Sequence, residues 1–502
     1  MYRLALCYRY VMSRFLTLVA TVAVLLGVAV LVVVMAVMGG FTREVRSALR
    51  GGMSDVIIAS DVSGFPYYEE FIAEIKKHPN VTEATPVVQL FGLLKIKPQR
   101  FDVITRPCMV QGVRPEELDR VCNFKQNLEQ QRQIADVAPS FEVTQGVFDQ
   151  AQELVFGQTR PEGLVAPVFP GCIPGRDLVS HQFRDDDETR AEAMADQPKT
   201  DSSGVARPDV LLLSGLGARL QLTTLPISAR GSLSREGSGV PIVARSYTVV
   251  DHYVSRVYEF DRQYIFIPFD EAQKLGELGD LSGKDPTDLP RAHQIFVALK
   301  DYEQAQQTVE DLKVLWRVFA ADKTYGPEQT PLWRKPMSIN TWEQEKATIL
   351  SAYQMQYVVI TILLGLVVLV AGFLIGAILT MIVREKTRDI GIMKCLGASN
   401  FGVAWIFLLY AVTVSSVGAI LGLLLGKLFI ANIDAIEVFI SKQLGIEVFD
   451  RKIYLFDHIP RYEDPWLQTA VVAGAILCAV ACSLIAAWRA ARLQPVEALR
   501  YE

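Results

Sequence analysis

The sequence predicts an α-helical membrane protein with four transmembrane helices and a large extracytoplasmic α+β domain between helices one and two. Three observations predict it. Half of the 502 residues are hydrophobic, yet they gather in four long blocks instead of spreading along the chain. A polar region, residues 41–350, separates the first two blocks. Basic residues crowd the short segments that an even number of crossings puts on one side of a bilayer. A net charge of −5 gives no reason to expect nucleic acid as a partner. The seven cysteines form no CxxC pair, so neither a zinc site nor a thioredoxin-type motif is indicated.

The first block, Phe15–Met38, carries no charge between Arg14 and Arg43. A spanning helix needs roughly 20 apolar residues, and this run exceeds the core of a cleaved signal peptide. It reads as an uncleaved anchor within an N-terminal segment of residues 1–40. The outside domain follows at 41–350. Asp55–Ser60 and Val87–Ile96 read as strands, and Tyr67–Lys77 as a helix stopped before Pro79. Further on, Tyr247–Tyr253, Tyr264–Pro268 and Gln294–Leu299 read as strands. Asp270–Leu275 reads as a helix capped by Asp270, and Tyr302–Val318 as another. Strand–helix–strand thus occurs early and late, which predicts one α+β domain of two related halves. Between them Cys122–Pro208 is a different kind of sequence. Its acidic run Asp185–Glu188 lacks the alternating ligands and glycine of a calcium loop, so the whole stretch reads as a solvated insertion. A bridge between Cys108 and Cys122 stays open.

The second block spans 351–383, the third 399–429 and the fourth 466–488, with an outside loop at 430–465 and a tail at 489–502. No Asp, Glu, Lys or Arg falls inside the apolar runs Tyr353–Val383, Phe401–Gly426 and Trp466–Trp488; one at mid-helix costs roughly 2.5–3.5 kcal/mol on the insertion scale. Arg3, Arg9 and Arg14 precede the first helix, a second basic cluster lies between helices two and three, and Arg489, Arg492 and Arg500 follow the fourth. All three clusters fall on one side, which predicts cytoplasmic termini. Gly418, Gly422 and Gly426 recur every fourth residue, a spacing that lets helices approach closely in lipid.

Between the second and third blocks lies Arg384–Ala398, REKTRDIGIMKCLGA. On a helical wheel Arg384, Thr387, Arg388, Gly391, Lys394 and Cys395 share one arc. Ile392, Met393 and Leu396 oppose them, with Ile390 at the edge and Glu385, Lys386 and Asp389 at or near the apolar side. This predicts an amphipathic helix lying along the membrane surface, stopped by Gly397, that docks a cytoplasmic partner through its basic face. The chain has no G-x-x-x-x-G-K-[ST], no H-E-x-x-H and no G-x-S-x-G. It is expected to be no enzyme and to bind no cofactor, so that any work draws its energy from another subunit.

These residues resemble a known family. One helix, a large outside domain, three helices and a charged helix after the second are the order of the MacB/FtsX-like mechanotransmission permeases of ABC transporters. The tail Trp488–Tyr501, WRAARLQPVEALRY, is similar to that family's ending. Within it, Val32–Leu49, Tyr258–Asp280 and Met337–Glu345 resemble the lipoprotein-releasing permeases LolC and LolE, while 122–208 departs from their pattern. The resemblance implies that Arg384–Ala398 is the coupling helix that docks into the ATPase. It implies an ATP-binding partner subunit, a second permease that is identical or a paralogue, and an inner-membrane location. Lipoprotein cargo and a periplasmic carrier would be further partners. Drug or peptide efflux through a duct, and an FtsX-like relay to a wall hydrolase, are the alternatives it leaves.

Overall fold

The computed structural model describes residues 15–51, 53–97, 103–134, 137–142, 169–182, 210–224, 243–255, 258–280, 288–325, 329–444 and 459–494. They fall into two compact units, one built on Val45–Thr348 and the other on the long helices before and after it.

In chain order the helices are α1 (Phe15–Gly51), α2 (Tyr68–Ile75), α3 (Pro115–Cys122), α4 (Tyr258–Gln263), α5 (Phe269–Gly276), α6 (Ala305–Ala321), α7 (Trp342–Glu345), α8 (Ala347–Glu385), α9 (Thr387–Cys395), α10 (Asn400–Ala431), α11 (Ile433–Leu444) and α12 (Pro465–Arg492). The strands are β1 (Val56–Ser60), β2 (Val81–Ile96), β3 (Ile104–Val113), β4 (Gly171–Pro174), β5 (Ser180–Gln182), β6 (Val210–Leu212), β7 (Arg219–Thr224), β8 (Val243–Val249), β9 (Tyr264–Pro268), β10 (Gln294–Leu299), β11 (Thr324–Tyr325), β12 (Thr330–Pro331) and β13 (Met337–Thr341).

Nine strands form one sheet in the order β13-β1-β10-β2-β3-β9-β4-β8-β7, and β7 pairs back onto β2. The 16-residue β2 therefore serves two lobes. Its first part, Val81–Val87, pairs with β10 in an open antiparallel sheet. Its second part pairs with β3 on one edge and, over Gly92–Ile96, with β7 on the other. That closes a barrel of β2, β3, β9, β4, β8 and β7 and leaves no free edge there. Leu94, Val110, Leu220, Leu222, Tyr247 and Ile265 are fully buried in it. On the open sheet, α2 and α6 cover one face with an edge-to-face aromatic group, Phe65 and Phe71 each against Trp316.

The strands and helices expected in the outside domain occur at or near their expected places, but its organisation differs in four respects. The early strand β1 pairs with the late strands β10 and β13, so the sheet interleaves the chain instead of joining two successive halves. The expected insertion is partly core: Cys172, Ile173, Leu178 and Val179 are buried, and β4 closes the barrel. Only four residues long, β4 is too short for its periodicity to stand out. The acidic run 185–188 lies outside the described residues. Helix α5 starts at Phe269 after Pro268, with no side-chain cap, and Asp270 sits in the first turn, where the helix dipole favours it. Cys108 and Cys122 are both free thiols, not a bridge.

In the other unit α1, α8, α10 and α12 are each long and apolar enough to span a bilayer. Helix α1 has 37 residues, about 55 Å at 1.5 Å each, well beyond the ~30 Å hydrocarbon core. The loop expected at 430–465 includes α11. Gly418, Gly422 and Gly426 face α1: a Cβ on Gly422 would lie 2.6 Å from the Leu25 carbonyl oxygen, and one on Gly418 2.9 Å from that of Thr21. Glycine there lets the two backbones touch. Gly376 does the same against Cys482 of α12. Tyr410 of α10 and Thr17 of α1 share a buried hydroxyl hydrogen bond of 2.8 Å.

Candidate functional site

The short helix α9 sits between α8 and α10, joined to each by a tight turn. At its N-terminus the Thr387 hydroxyl donates to the Val383 and Arg384 carbonyls, at 3.0 and 2.8 Å. At its C-terminus Gly397 adopts φ +93°. Its N–H bonds the Lys394 carbonyl and the Ala398 N–H bonds that of Met393, the Schellman arrangement that ends a helix on glycine. Ser399 then caps α10 by accepting from the Gly402 N–H at 3.1 Å.

The buried face of α9 is not the one that the helical wheel predicts. Ile390 and Gly391 are buried, Lys394 is half-buried, and Ile392 is exposed with Leu396 83% exposed. The expected basic arc thus supplies part of the packing face, and two expected packing residues look outward. The cause is Lys394. Its ammonium donates to the Ala491 carbonyl at 2.6 Å and the Leu493 carbonyl at 2.7 Å, at the C-terminal end of α12. The last carbonyls of a helix lack the usual intrahelical donor, and a cation suits the negative end of its dipole. Lys394 therefore turns inward and the helix rotates with it. Ala491 and Leu493 are the residues that sequence reasoning missed; the signal was the approaching helix end before Pro495.

Of the other residues expected to couple, Arg384, Glu385 and Arg388 are exposed, Met393 packs half-buried, and Lys386 pairs with Asp389 at 3.0 Å. Arg388, Ile392, Cys395 and Leu396 share one outward stripe at the i, i+4, i+7, i+8 spacing of a helix face. A cation beside exposed apolar side chains makes a mixed patch suited to a groove with an acidic rim. Another missed pair lies at the far end of α1. A Cβ on Gly40 would come within 2.5 Å of the Arg461 nitrogen, so residues 460–462 lie directly on that helix. The Tyr462 N–H bonds the Ala36 carbonyl, and the Arg43 guanidinium lies 4.5 Å from the Tyr462 ring centre. Among the described residues no group of His, Cys, Asp and Glu side chains could hold a metal.

Two family models match parts of the chain. Residues 361–495 match the model of the FtsX-like permease C-terminal family, and residues 17–160 that of the MacB-like periplasmic core domain. The lipoprotein-releasing system transmembrane protein LolC of Xylella fastidiosa strain 9a5c is 22% identical over 97% of this chain and 94% of its own. LolE of Haemophilus influenzae is 34% identical over 28% of this chain and 34% of its own. The crystal structure of the periplasmic region of MacB from Actinobacillus actinomycetemcomitans aligns with 60% of this chain and 95% of its own, at 13% identity and a TM-score of 0.25. This is the architecture of an ABC transporter permease of the MacB/FtsX-like family: residues 17–160 match the MacB-like core and residues 361–495 the FtsX-like permease module.

Proposed function

We propose that this permease belongs to a transporter that releases lipoproteins from the outer leaflet of the inner membrane. It works with a separate ATPase that binds the ATP and with a second permease. The single observation that carries the reading is the similarity to LolC along nearly the whole of both chains, outside domain included. The macrolide export protein MacB matches less than half of this chain, whereas LolC matches nearly all of it.

In this reading both termini and α9 are cytoplasmic, and the ATPase grips the stripe of Arg388, Ile392 and Leu396. Closure of the ATPase pushes α9, and the Lys394 contacts spread that push to the end of α12 as well as to α8 and α10. The test is reconstitution in liposomes with the ATPase and a fluorescent lipoprotein, scored as ATP-dependent release to a soluble acceptor. Arg384→Glu with Arg388→Glu is expected to cut release per ATP by about tenfold or more, the effect of turning rim attraction into repulsion. Release that is unchanged in this variant, or absent in the wild type with ATP hydrolysis intact, refutes the proposal.

A further inference from the structure

The outside domain holds a cavity of about 100 Å³ on the face of its sheet opposite α2 and α6. Alternation along the strands puts it there: Val56 and Ile58 point toward the helices, while Ile57 of β1 and Phe296 of β10 point into the cavity. Its wall is aromatic. Phe260 and Tyr264 stack with centres 5.0 Å apart, and Phe266 lies against Tyr253 at 4.7 Å. The rim includes Met53, just after α1, and Lys346, just before α8, whose ammonium is 5.5 Å from the Phe260 ring centre.

Set into this wall is a row of amides. Gln89 of β2 is paired in register with Gln111 of β3, and Gln111 with Phe266 of β9. Gln294 donates to the Gln89 oxygen at 2.5 Å. That bond leaves one amide oxygen and one NH₂ group of the pair available, whichever way the two amides are turned. Gln111 is only 9% exposed, and among the described residues its side-chain amide has no hydrogen-bond partner. Three open hydrogen-bonding groups in an aromatic wall are poorly matched to a plain hydrocarbon, which would cover them without bonding any. The volume is well below that of a drug-sized site and fits one side chain with its peptide group.

We propose that this cavity binds an extended, uncharged peptide segment of another chain. An apolar side chain lies against Phe260, Phe266 and Phe296, and the adjoining peptide groups bond Gln111 and the Gln89–Gln294 pair. The inference stands on the cavity alone and survives failure of the release reading. An occupant touches Met53 and Lys346, so it bears on the two segments by which the domain is joined to α1 and α8.

The full chain in lipid nanodiscs is titrated with an end-blocked peptide of alternating glycine and leucine carrying a neutral fluorophore, read by fluorescence anisotropy. A dodecyl chain with the same fluorophore runs in parallel. The peptide is expected to saturate. Gln111→Leu is expected to weaken it about five- to tenfold, one or two hydrogen bonds' worth, while leaving the dodecyl probe unchanged or tighter. Phe260→Ala, at a half-buried position, is expected to weaken the peptide as well and decides the matter if Gln111→Leu does not fold. A peptide that does not saturate on the wild type overturns the proposal, as does wild-type affinity in the folded variants. Saturable dodecyl binding without peptide binding overturns it in favour of a lipid site.

Discussion

The imidazole of His293 is held between two backbone groups. Its Nε2 lies 3.0 Å from the Val62 carbonyl, and its Nδ1 accepts from the Gln89 N–H at 3.2 Å. That pattern needs the neutral ring with its proton on Nε2, because a second proton would face an N–H. Burial, first, and the nearby Arg291 and Lys335 lower its pKa to about 4, against the opposing influence of the Val62 carbonyl and Asp61. Between pH 6.5 and about 4 the unfolded chain takes up a proton that the folded domain refuses. Stability is therefore present above that interval and lost as pH falls through it, by an amount on the order of 3 kcal/mol. Melting of the purified protein, followed by circular dichroism from pH 7.5 to pH 4.5, is expected to show this decline, and His293→Gln to flatten it. An equally steep decline in the variant would assign the effect to other groups.

At the scale of the element, α9 is distinguished by a single tether. Lys394 makes two charge-assisted hydrogen bonds to carbonyls at the end of α12. Each is worth about 1.5–3 kcal/mol in such a setting. Lys394→Met keeps the bulk and removes both. It is expected to leave ATPase binding intact, since Arg388 and Leu396 still face outward, and to lower release per ATP several-fold. Co-purification of the ATPase alongside the release assay separates the two effects; loss of the complex would place Lys394 in the docking face instead. The position of α9 was legible in the sequence, as was its glycine stop; its length was not, since only Thr387–Cys395 form it while Arg384 and Glu385 end α8. Its rotation was not, because the groups that fix it lie 97 and 99 residues further on. The run Gly418, Gly422, Gly426 was legible as a packing face by spacing alone, but not that α1 is what it meets.

At the scale of the molecule, the four apolar blocks were readable because a bilayer imposes a length and a polarity that few other constraints mimic. The barrel was not readable. Its closure depends on β2 pairing with β7 across more than a hundred residues, and on a four-residue strand inside a segment that composition alone marks as solvated. The thiols supply a test of the whole arrangement. Cys395 is exposed on α9, whereas Cys108, Cys122 and Cys172 are buried in the outside domain. Burial pushes the thiols of Cys108 and Cys122 up to about 12, which leaves almost no reactive thiolate at neutral pH. In a Cys7→Ser background, a membrane-impermeant maleimide is expected to label Cys395 in inside-out vesicles about tenfold faster than in right-side-out ones, since only an accessible thiolate reacts. The reverse preference would put α9 on the wrong face of the bilayer and remove the basis for coupling.

Strands β1 and β13 run side by side, with Val56 opposite Thr341 and the Trp342 N–H on the Asp55 carbonyl at 3.1 Å. The polypeptide thus enters and leaves the outside domain through adjacent rungs of one ladder, like the two wires of a plug. Such a layout tolerates surgery: a short loop from Thr341 back to Asp55 should yield a detachable module, with new ends opened elsewhere on its surface. It also means that unequal sliding of the two leads would shear a run of parallel hydrogen bonds at once, so the domain is built to be carried as a body and not pried open at its stem.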